Sequence, residues 1–176
     1  MAIRTIVTIP NPILKTKTQE ITQIDGAIVD LVKDLLDTLN HAKEPEGAGI
    51  AATQLGFNKR VCVVRNIIYT SHAAKGYTSE DFILINPKII SKSKEVDIDW
   101  EGCLSVPNQF GKVPRHLKIK VEARTLDGNF IQINAKDLFA RVIQHEIDHL
   151  DGVLFTSKVT GKIISEKELD KLYEQD

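Results

Sequence analysis

The chain has 176 residues and a formal net charge of −1, with 42% hydrophobic and 27% charged residues. This composition is typical of a globular protein with a full core, and the near-neutral charge argues against a dedicated nucleic-acid or membrane surface. Two cysteines are too few for a disulfide framework, no window is apolar enough to span a bilayer, and the first residues lack a signal-peptide pattern. We therefore expect a single domain over residues 1–176, located in the cytoplasm.

The first strong periodic pattern predicts a helix within DGAIVDLVKDLLDTLNHAKE, with Asp25 as its N-cap. Its predicted buried face consists of Ile28, Leu31, Val32, Leu35, Leu36 and Leu39. Residues 44–56, EPEGAGIAATQLG, have the composition of a loop rich in small residues. KRVCVVRNI then predicts a buried strand, in which Cys62 is expected to be a buried apolar residue rather than a reactive thiol.

The middle of the chain predicts strands. Residues 69–82, YTSHAAKGYTSEDF, are expected to form a polar surface loop, and ILINPKII a strand broken by a turn at Asn86-Pro87. HLKIKVEARTLDGNFIQIN carries the clearest alternation, with a hairpin turn at Asp127-Gly128. His116 falls on the charged face of this stretch and is expected to be solvated, as are His41 and His72.

The helical pattern returns in AKDLFARVIQHEIDHLDG, where Gly152 is a natural stop. The tail SEKELDKLYEQD predicts a further helix with a capping box between Ser165 and Glu168. The predicted fold class is therefore α+β, with mainly antiparallel strands around a central helix that carries His-Glu-x-x-His, and with a C-terminal helix.

The segment QHEIDHL has the pattern of a metal site. His145 and His149 are four residues apart on one helical face, so their ring nitrogens can converge on one ion. Glu146 is displaced around the helix from this pair, where its carboxylate can act on water activated by the metal. The alternative interpretation is a pair of core histidines, but the otherwise apolar stripe favours a metal.

The third ligand has to come from elsewhere in the chain. In the metzincin pattern Gly152 is present, but the place of the third histidine is taken by Phe155. Glu166 and Glu168 lie in a charged tail that is expected to be solvated. Cys103, in WEGCLSVP, fits better, because one thiolate and two imidazoles leave an open position, as catalytic sites do.

The stretch GAGIAATQLG offers weaker signals. Gly47 and Gly49 allow a ligand to approach the backbone closely, and the amide of Gln54 could hold an oxyanion. Taken alone, such small residues more often serve tight packing.

The three stretches GAGIAATQ, EGCLS and QHEIDH, in this order, closely resemble the peptide deformylases. The resemblance extends from TIPNPIL near the start to GVLF after the metal helix. It implies a catalytic domain that removes the N-formyl group from the initiator methionine of nascent polypeptides. Formate would be released through attack of a metal-bound hydroxide on the formyl carbonyl.

The resemblance also implies roles for individual residues. Cys103, His145 and His149 would be the metal ligands, and Glu146 the general acid and base. One divalent ion is expected, with Fe(II) as the native metal and Zn, Ni or Co as possible replacements. A thiolate beside Fe(II) implies sensitivity to oxygen.

Further residues would bind the substrate, an N-formylmethionyl nascent peptide. Gln54 and the backbone N–H of Leu104 would stabilise the oxyanion, while Gly49, Ala48 and Gly102 would pair with the peptide backbone. Leu138 would help to line the pocket for the methionine side chain.

The resemblance also identifies Glu101 as a structural acid, with Arg115 as its expected partner. Two positions depart from the family pattern. Ala48 replaces an isoleucine or valine, which would widen the pocket, and Phe110 stands where some members have an arginine. Transient proximity to the ribosome is conceivable through the C-terminal helix, but its lysines are interleaved with acids, so a plain solvated helix is the favoured interpretation.

Two other functions stay open at this point. A metallopeptidase would need a ligand other than Cys103, so Cys103→Ser would leave its metal and activity intact. A structural metal site, or an inactive peptide-binding member of the family, would have no activity to lose in Glu146→Ala.

Overall fold

The structure is a computed structural model that describes residues 3–42, 47–69 and 77–174. Its helices are α1 (Gly26–His41), α2 (Asp137–Leu150) and α3 (Glu166–Tyr173). Its strands are β1 (Gly49–Ala51), β2 (Val61–Tyr69), β3 (Tyr77–Lys92), β4 (Val96–Cys103), β5 (Val106–His116), β6 (Lys118–Arg124) and β7 (Phe130–Lys136). Short 3-10 turns cover Pro12–Lys15, Ala52–Leu55 and Phe155–Ser157. Within the described ranges, no helix combines the length and the apolar character that crossing a membrane requires.

The strands form two antiparallel sheets. Five strands pair in the order β1-β2-β3-β6-β7, and β4 and β5 form a separate two-stranded hairpin. The predicted α+β fold class is confirmed, including the helix that carries His-Glu-x-x-His and the C-terminal helix.

Helices α1 and α2 pack on opposite faces of the five-stranded sheet. Successive side chains of a strand point to opposite faces, and β2 shows this directly. Val61 and Val63 join the core beneath α1, whereas Cys62 and Val64 join the core beneath α2. Burial on both faces explains why this strand is a continuous apolar run rather than an alternating one.

Both predicted helix starts outside the metal site are confirmed. The Asp25 side chain accepts a hydrogen bond from the Ile28 N–H at 3.1 Å. Before α3, Glu168 accepts hydrogen bonds from the N–H of Ser165 at 2.8 Å and from its hydroxyl at 2.6 Å. The Asp127-Gly128 turn is also as predicted, with Gly128 at a φ of 82°.

The prediction of loops is partly wrong for two stretches of the chain. Residues 44–56 contain β1 and a 3-10 turn, although residues 43–46 lie outside the described part. Residues 69–82 include the end of β2 and the start of β3, which pair from Val64↔Phe82 to Tyr69↔Tyr77. The polar composition was misleading because residues 77–80 are paired through the backbone while their side chains are exposed. Residues 70–76, with His72, lie outside the described residues.

The predicted turn at Asn86-Pro87 is also wrong, because β3 runs through it with a shift in register between Ile85 and Lys88. Asn86 adopts a left-handed φ of 53°, and its amide bonds the N–H and C=O of Ile21, both at 2.8 Å. The irregularity is therefore a bulge fixed by a side chain.

His116 also differs from the prediction, since it is half-buried and its Nδ1 lies 2.8 Å from the Ser93 carbonyl oxygen. His41 is exposed, as predicted.

Candidate active site

The structure brings Cys103, His145 and His149 together. One ligand atom from each lies within 4.8 Å of the other two, and Cys103 Sγ is 3.1 Å from His149 Nε2. A thiolate and two imidazoles suit zinc and other divalent transition metals, whose bonds to such ligands are roughly 2.0–2.3 Å long. The three residues therefore fit one divalent ion.

Two elements carry these side chains. His145 and His149 lie one turn apart on α2, which is held against the sheet by Ile143, Ile147 and Leu150. Cys103 ends β4, just after a register shift in the β4–β5 pairing that follows Glu101. Irregularities of this kind redirect side chains, and here the shift coincides with the thiol that approaches α2.

Glu101 fixes the orientation of His145. Its Oε2 lies 3.0 Å from His145 Nδ1, which leaves Nε2 available for an ion. Arg115 donates to both carboxylate oxygens, at 2.8 and 2.9 Å, as predicted for this pair. Burial alone would raise the pKa of Glu101, but the hydrogen bonds from Arg115 and His145 hold it well below its usual range.

Arg141, Asp148 and Lys158 complete the charged network around this carboxylate, and the sequence analysis did not identify them. Arg141 Nη1 donates to Glu101 Oε1 at 2.9 Å. Asp148 pairs with Arg115 and with Lys158, whose Nζ lies 2.7 Å from Asp148 Oδ1. One signal was present, because Arg141 precedes His145 by four residues on the same helix.

Glu146 faces the space beside the ligands. It is only 3% exposed, and its Oε2 has no hydrogen-bond partner among the residues that the structure describes. A Cβ atom on Gly49 would lie 2.6 Å from Glu146 Oε1, so a glycine is needed for this approach. Burial raises the pKa of Glu146 to about 7, which suits a group that takes up and returns a proton near neutral pH.

Gln54 is held with its amide nitrogen toward the site. Its Oε1 accepts a hydrogen bond from the Ala51 N–H at 2.8 Å, so Nε2 is the end directed to Cys103 Sγ, 3.7 Å away.

His149 is almost completely buried, and burial lowers the pKa of its imidazole well below the usual value. The neutral ring that results is the form that binds metals.

A cavity of about 610 Å³ opens beside these groups. The predicted substrate residues all line it, namely Ala48, Gly49, Gly102, Leu104 and Leu138. Its wall also includes residues that had no predicted binding role, among them Trp100, Asn108, Gln109, Val142 and Glu166. The Phe110 ring packs closely over Gly102. A Cβ atom added to Gly102 would lie 2.5 Å from Phe110 Cε1. The site is thus a cleft lined by apolar and polar side chains, with the Cys103–His145–His149 group beside it.

Residues 3–163 match the family described as polypeptide deformylase. A peptide deformylase of Finegoldia magna is 40% identical over 174 residues, covering 98% of each chain. That of Thermomicrobium roseum is 40% identical over 162 residues, covering 92% of this chain and 89% of the relative.

Solved structures of similar shape carry the same family name. The peptide deformylase from Ehrlichia chaffeensis in complex with actinonin has 35% identity and a TM-score of 0.80, covering 99% of this chain and 96% of that one. A class I type b peptide deformylase from Acinetobacter baumannii, with Met-Ala-Ser bound, has 29% identity and a TM-score of 0.79, covering 90% and 99%.

Proposed function

The chain belongs to the peptide deformylase family, and we propose that it removes the formyl group from the amino-terminal methionine of nascent polypeptides through Cys103, His145, His149 and Glu146. The observation that carries this proposal is the convergence of three metal-binding atoms within 4.8 Å of one another beside a buried, unpaired carboxylate oxygen. Hydrolysis adds water across the formyl C–N bond and yields formate and a free amine.

Cys103, His145 and His149 would hold the divalent ion. When bound, the ion would supply Lewis-acid chemistry, polarising a carbonyl and acidifying water. The proposed native metal is Fe(II), which the family resemblance favours, and Zn, Ni or Co are the proposed replacements because this ligand set suits all four.

The proposed substrate lies along β1. Within the described sheet β1 is an edge strand that pairs only with β2, and its first residue, Gly49, lines the cavity. An extended peptide can add to such an edge through backbone hydrogen bonds, with Ala48, Gly49 and Gly102 alongside it. The methionine side chain would then enter the apolar part of the cavity near Leu138.

Glu146 moves the proton in this proposal. Its carboxylate accepts a proton from the attacking water and returns it to the leaving amine. The pKa of about 7 supports both roles, since the group exchanges protons readily near neutral pH.

Gln54 and Leu104 stabilise the charge that develops on the formyl oxygen. Gln54 Nε2 is held toward the site by the bond between its Oε1 and the Ala51 N–H. The Leu104 backbone N–H is the second proposed donor, in the residue directly after Cys103. Donors that are already in place need no reorganisation during the reaction.

Two substitutions test these assignments. Glu146→Gln should retain one metal ion per chain and lose activity on a formyl-Met peptide by roughly a hundredfold to ten-thousandfold, because the proton acceptor is gone. Cys103→Ser should lose both metal and activity. Metal analysis and formate release on the same preparations check both results.

Cys62→Ala is the matched control, since Cys62 is the other cysteine and is fully buried in the core beneath α2. It should keep the metal and the activity. If Cys103→Ser instead keeps its metal and activity, the ligand assignment is wrong and a peptidase with a different third ligand becomes the better account.

The domain organisation, the compartment and the other partners stay predictions. We propose that residues 1–176 act as a single catalytic domain in the cytoplasm, with nascent chains as substrates. Any proximity to the ribosome would be transient, and no direct nucleic-acid binding is expected.

A further inference from the structure

Arg141 is a buried cation that joins α2 to the β4–β5 hairpin. It is only 6% exposed, although an arginine is rarely buried unless it is paired. Its Nη1 donates to the carbonyl oxygen of Val113 at 2.8 Å, and its Nη2 to the carbonyl oxygen and carboxylate of Asp97, at 3.1 and 3.0 Å. A single side chain of the helix thus holds both strands of the hairpin.

The same guanidinium reaches Glu101, the carboxylate that orients His145. Arg141 Nη1 and Arg115 Nε share Oε1, at 2.9 and 2.8 Å, whereas Arg115 Nη2 and His145 Nδ1 share Oε2. A buried carboxylate is stabilised when its lone pairs accept hydrogen bonds. Two guanidinium groups on one oxygen therefore fix the orientation of the Glu101 carboxylate and favour its ionised form.

The two arginines that bond Glu101 belong to different elements. Arg115 belongs to β5 and pairs with Asp148, the residue before His149. Arg141 belongs to α2 and precedes His145 by one helical turn. It therefore adds further direct ties, beside the His145–Glu101 hydrogen bond, between the helix that carries both histidines and the strand that ends in Cys103.

We propose that Arg141 is a positioning residue of the metal centre, which sets the separation between Cys103 and the two histidines and holds Glu101 against His145. The inference rests on the proposed function, because it gives a role to a residue that acts on the proposed ligands through Glu101. Groups that orient metal ligands typically contribute tenfold to a hundredfold to metal affinity. Since Arg115 also holds Glu101, we expect the low end of that range.

The test compares Arg141→Met and Arg141→Lys with the wild-type chain, each loaded with Co(II). Arg141→Met should bind Co(II) about tenfold more weakly, with shifted ligand-field bands and a lower kcat at nearly unchanged KM. Arg141→Lys keeps the charge, but its single nitrogen cannot replace the two guanidinium nitrogens that reach Glu101, Val113 and Asp97, so it should restore part of the affinity.

Arg60→Met is the matched control. Arg60 also ties α2 to the sheet, through Asp151 at 2.7 Å and the Pro87 carbonyl oxygen at 3.0 Å, but it bonds at the far end of the helix from Glu101. It should lower the thermal midpoint while leaving Co(II) affinity and the spectrum unchanged.

Wild-type affinity and spectrum in Arg141→Met would overturn the inference, whatever happens to thermal stability. If Arg141→Met does not fold, Arg141→Lys provides the test. Wild-type Co(II) affinity and a wild-type Co(II) spectrum in Arg141→Lys would then overturn the inference. A wild-type chain that binds Co(II) without a thiolate charge-transfer band would instead contradict the proposed metal site itself.

Discussion

Glu146 combines burial with a carboxyl group that has one oxygen unpaired among the described residues. Burial favours the neutral form, so the pKa rises from 4.5 to about 7 in the folded chain. Between these values the folded state binds more protons than the unfolded state. The free energy of unfolding therefore falls as the pH rises through this window, which is the opposite of a carboxylate in an ion pair.

Glu146→Gln in the metal-free protein should remove this dependence. We expect the variant to gain stability over the wild-type chain by about 3 kcal/mol as the pH rises from below 4.5 to above 7, since each pKa unit corresponds to about 1.4 kcal/mol. Urea denaturation of both proteins in a chelator, at about pH 4 and about pH 8, measures the difference. An equal difference at both pH values would contradict the buried, proton-binding state of Glu146.

Single residues also show where sequence patterns were sufficient. The convergence of His145 and His149 follows from helical spacing, because residues i and i+4 share a face. Arg141 does not, since an arginine four residues before a histidine is ordinarily a solvated residue. Its role depends on carbonyl oxygens from two strands that lie about 28 and 44 residues earlier in the chain.

Among the elements, helices were easier to predict than strands. The caps of α1 and α3 are local and were identified from adjacent residues. β3 was not fully predicted from sequence. It is held by backbone hydrogen bonds to β2 and β6, which involve residues far along the chain, and its polar first half has the composition of a loop. The Asn86-Pro87 pair would normally favour a turn, but Asn86 is instead anchored by its amide to Ile21.

Substitutions of Asn86 should therefore lower the stability of the folded chain. Asn86→Gly tolerates the left-handed backbone but loses two hydrogen bonds, and should cost about 2 kcal/mol of unfolding free energy. Asn86→Ala adds the strain of a positive φ and should cost about 3 kcal/mol. Chemical denaturation gives both values. Equal losses would show that the backbone conformation carries no part of the effect, contrary to this account.

At the scale of the whole molecule, the fold places the proposed catalytic groups at the junction of two sheets. The five-stranded sheet supplies β1 and the support for α2, while the β4–β5 hairpin supplies Cys103. A third hydrophobic cluster, formed by Leu14, Val106, Val113, Leu154 and Phe155, packs behind the hairpin. Phe155 is 1% exposed there, so the position where a metzincin has its third histidine is a core position in this chain.

This arrangement explains why the fold class could be predicted from sequence while parts of the site could not. Composition and periodicity predict most of the elements, and motif order predicts the residues that we propose as metal ligands. The close fit of Phe110 over Gly102, or of Gly49 against Glu146, depends on how separate elements pack, and no local pattern encodes that contact.

The most direct test of the account is formate release from formyl-Met-Ala-Ser by the chain purified without oxygen and analysed for metal. We predict one divalent ion per chain and stoichiometric formate and free Met-Ala-Ser, with loss of activity in a chelator and recovery on adding Fe(II) or Co(II). A fully metallated chain that releases no formate, or that cleaves the peptide bonds of this substrate instead, would contradict the central claim.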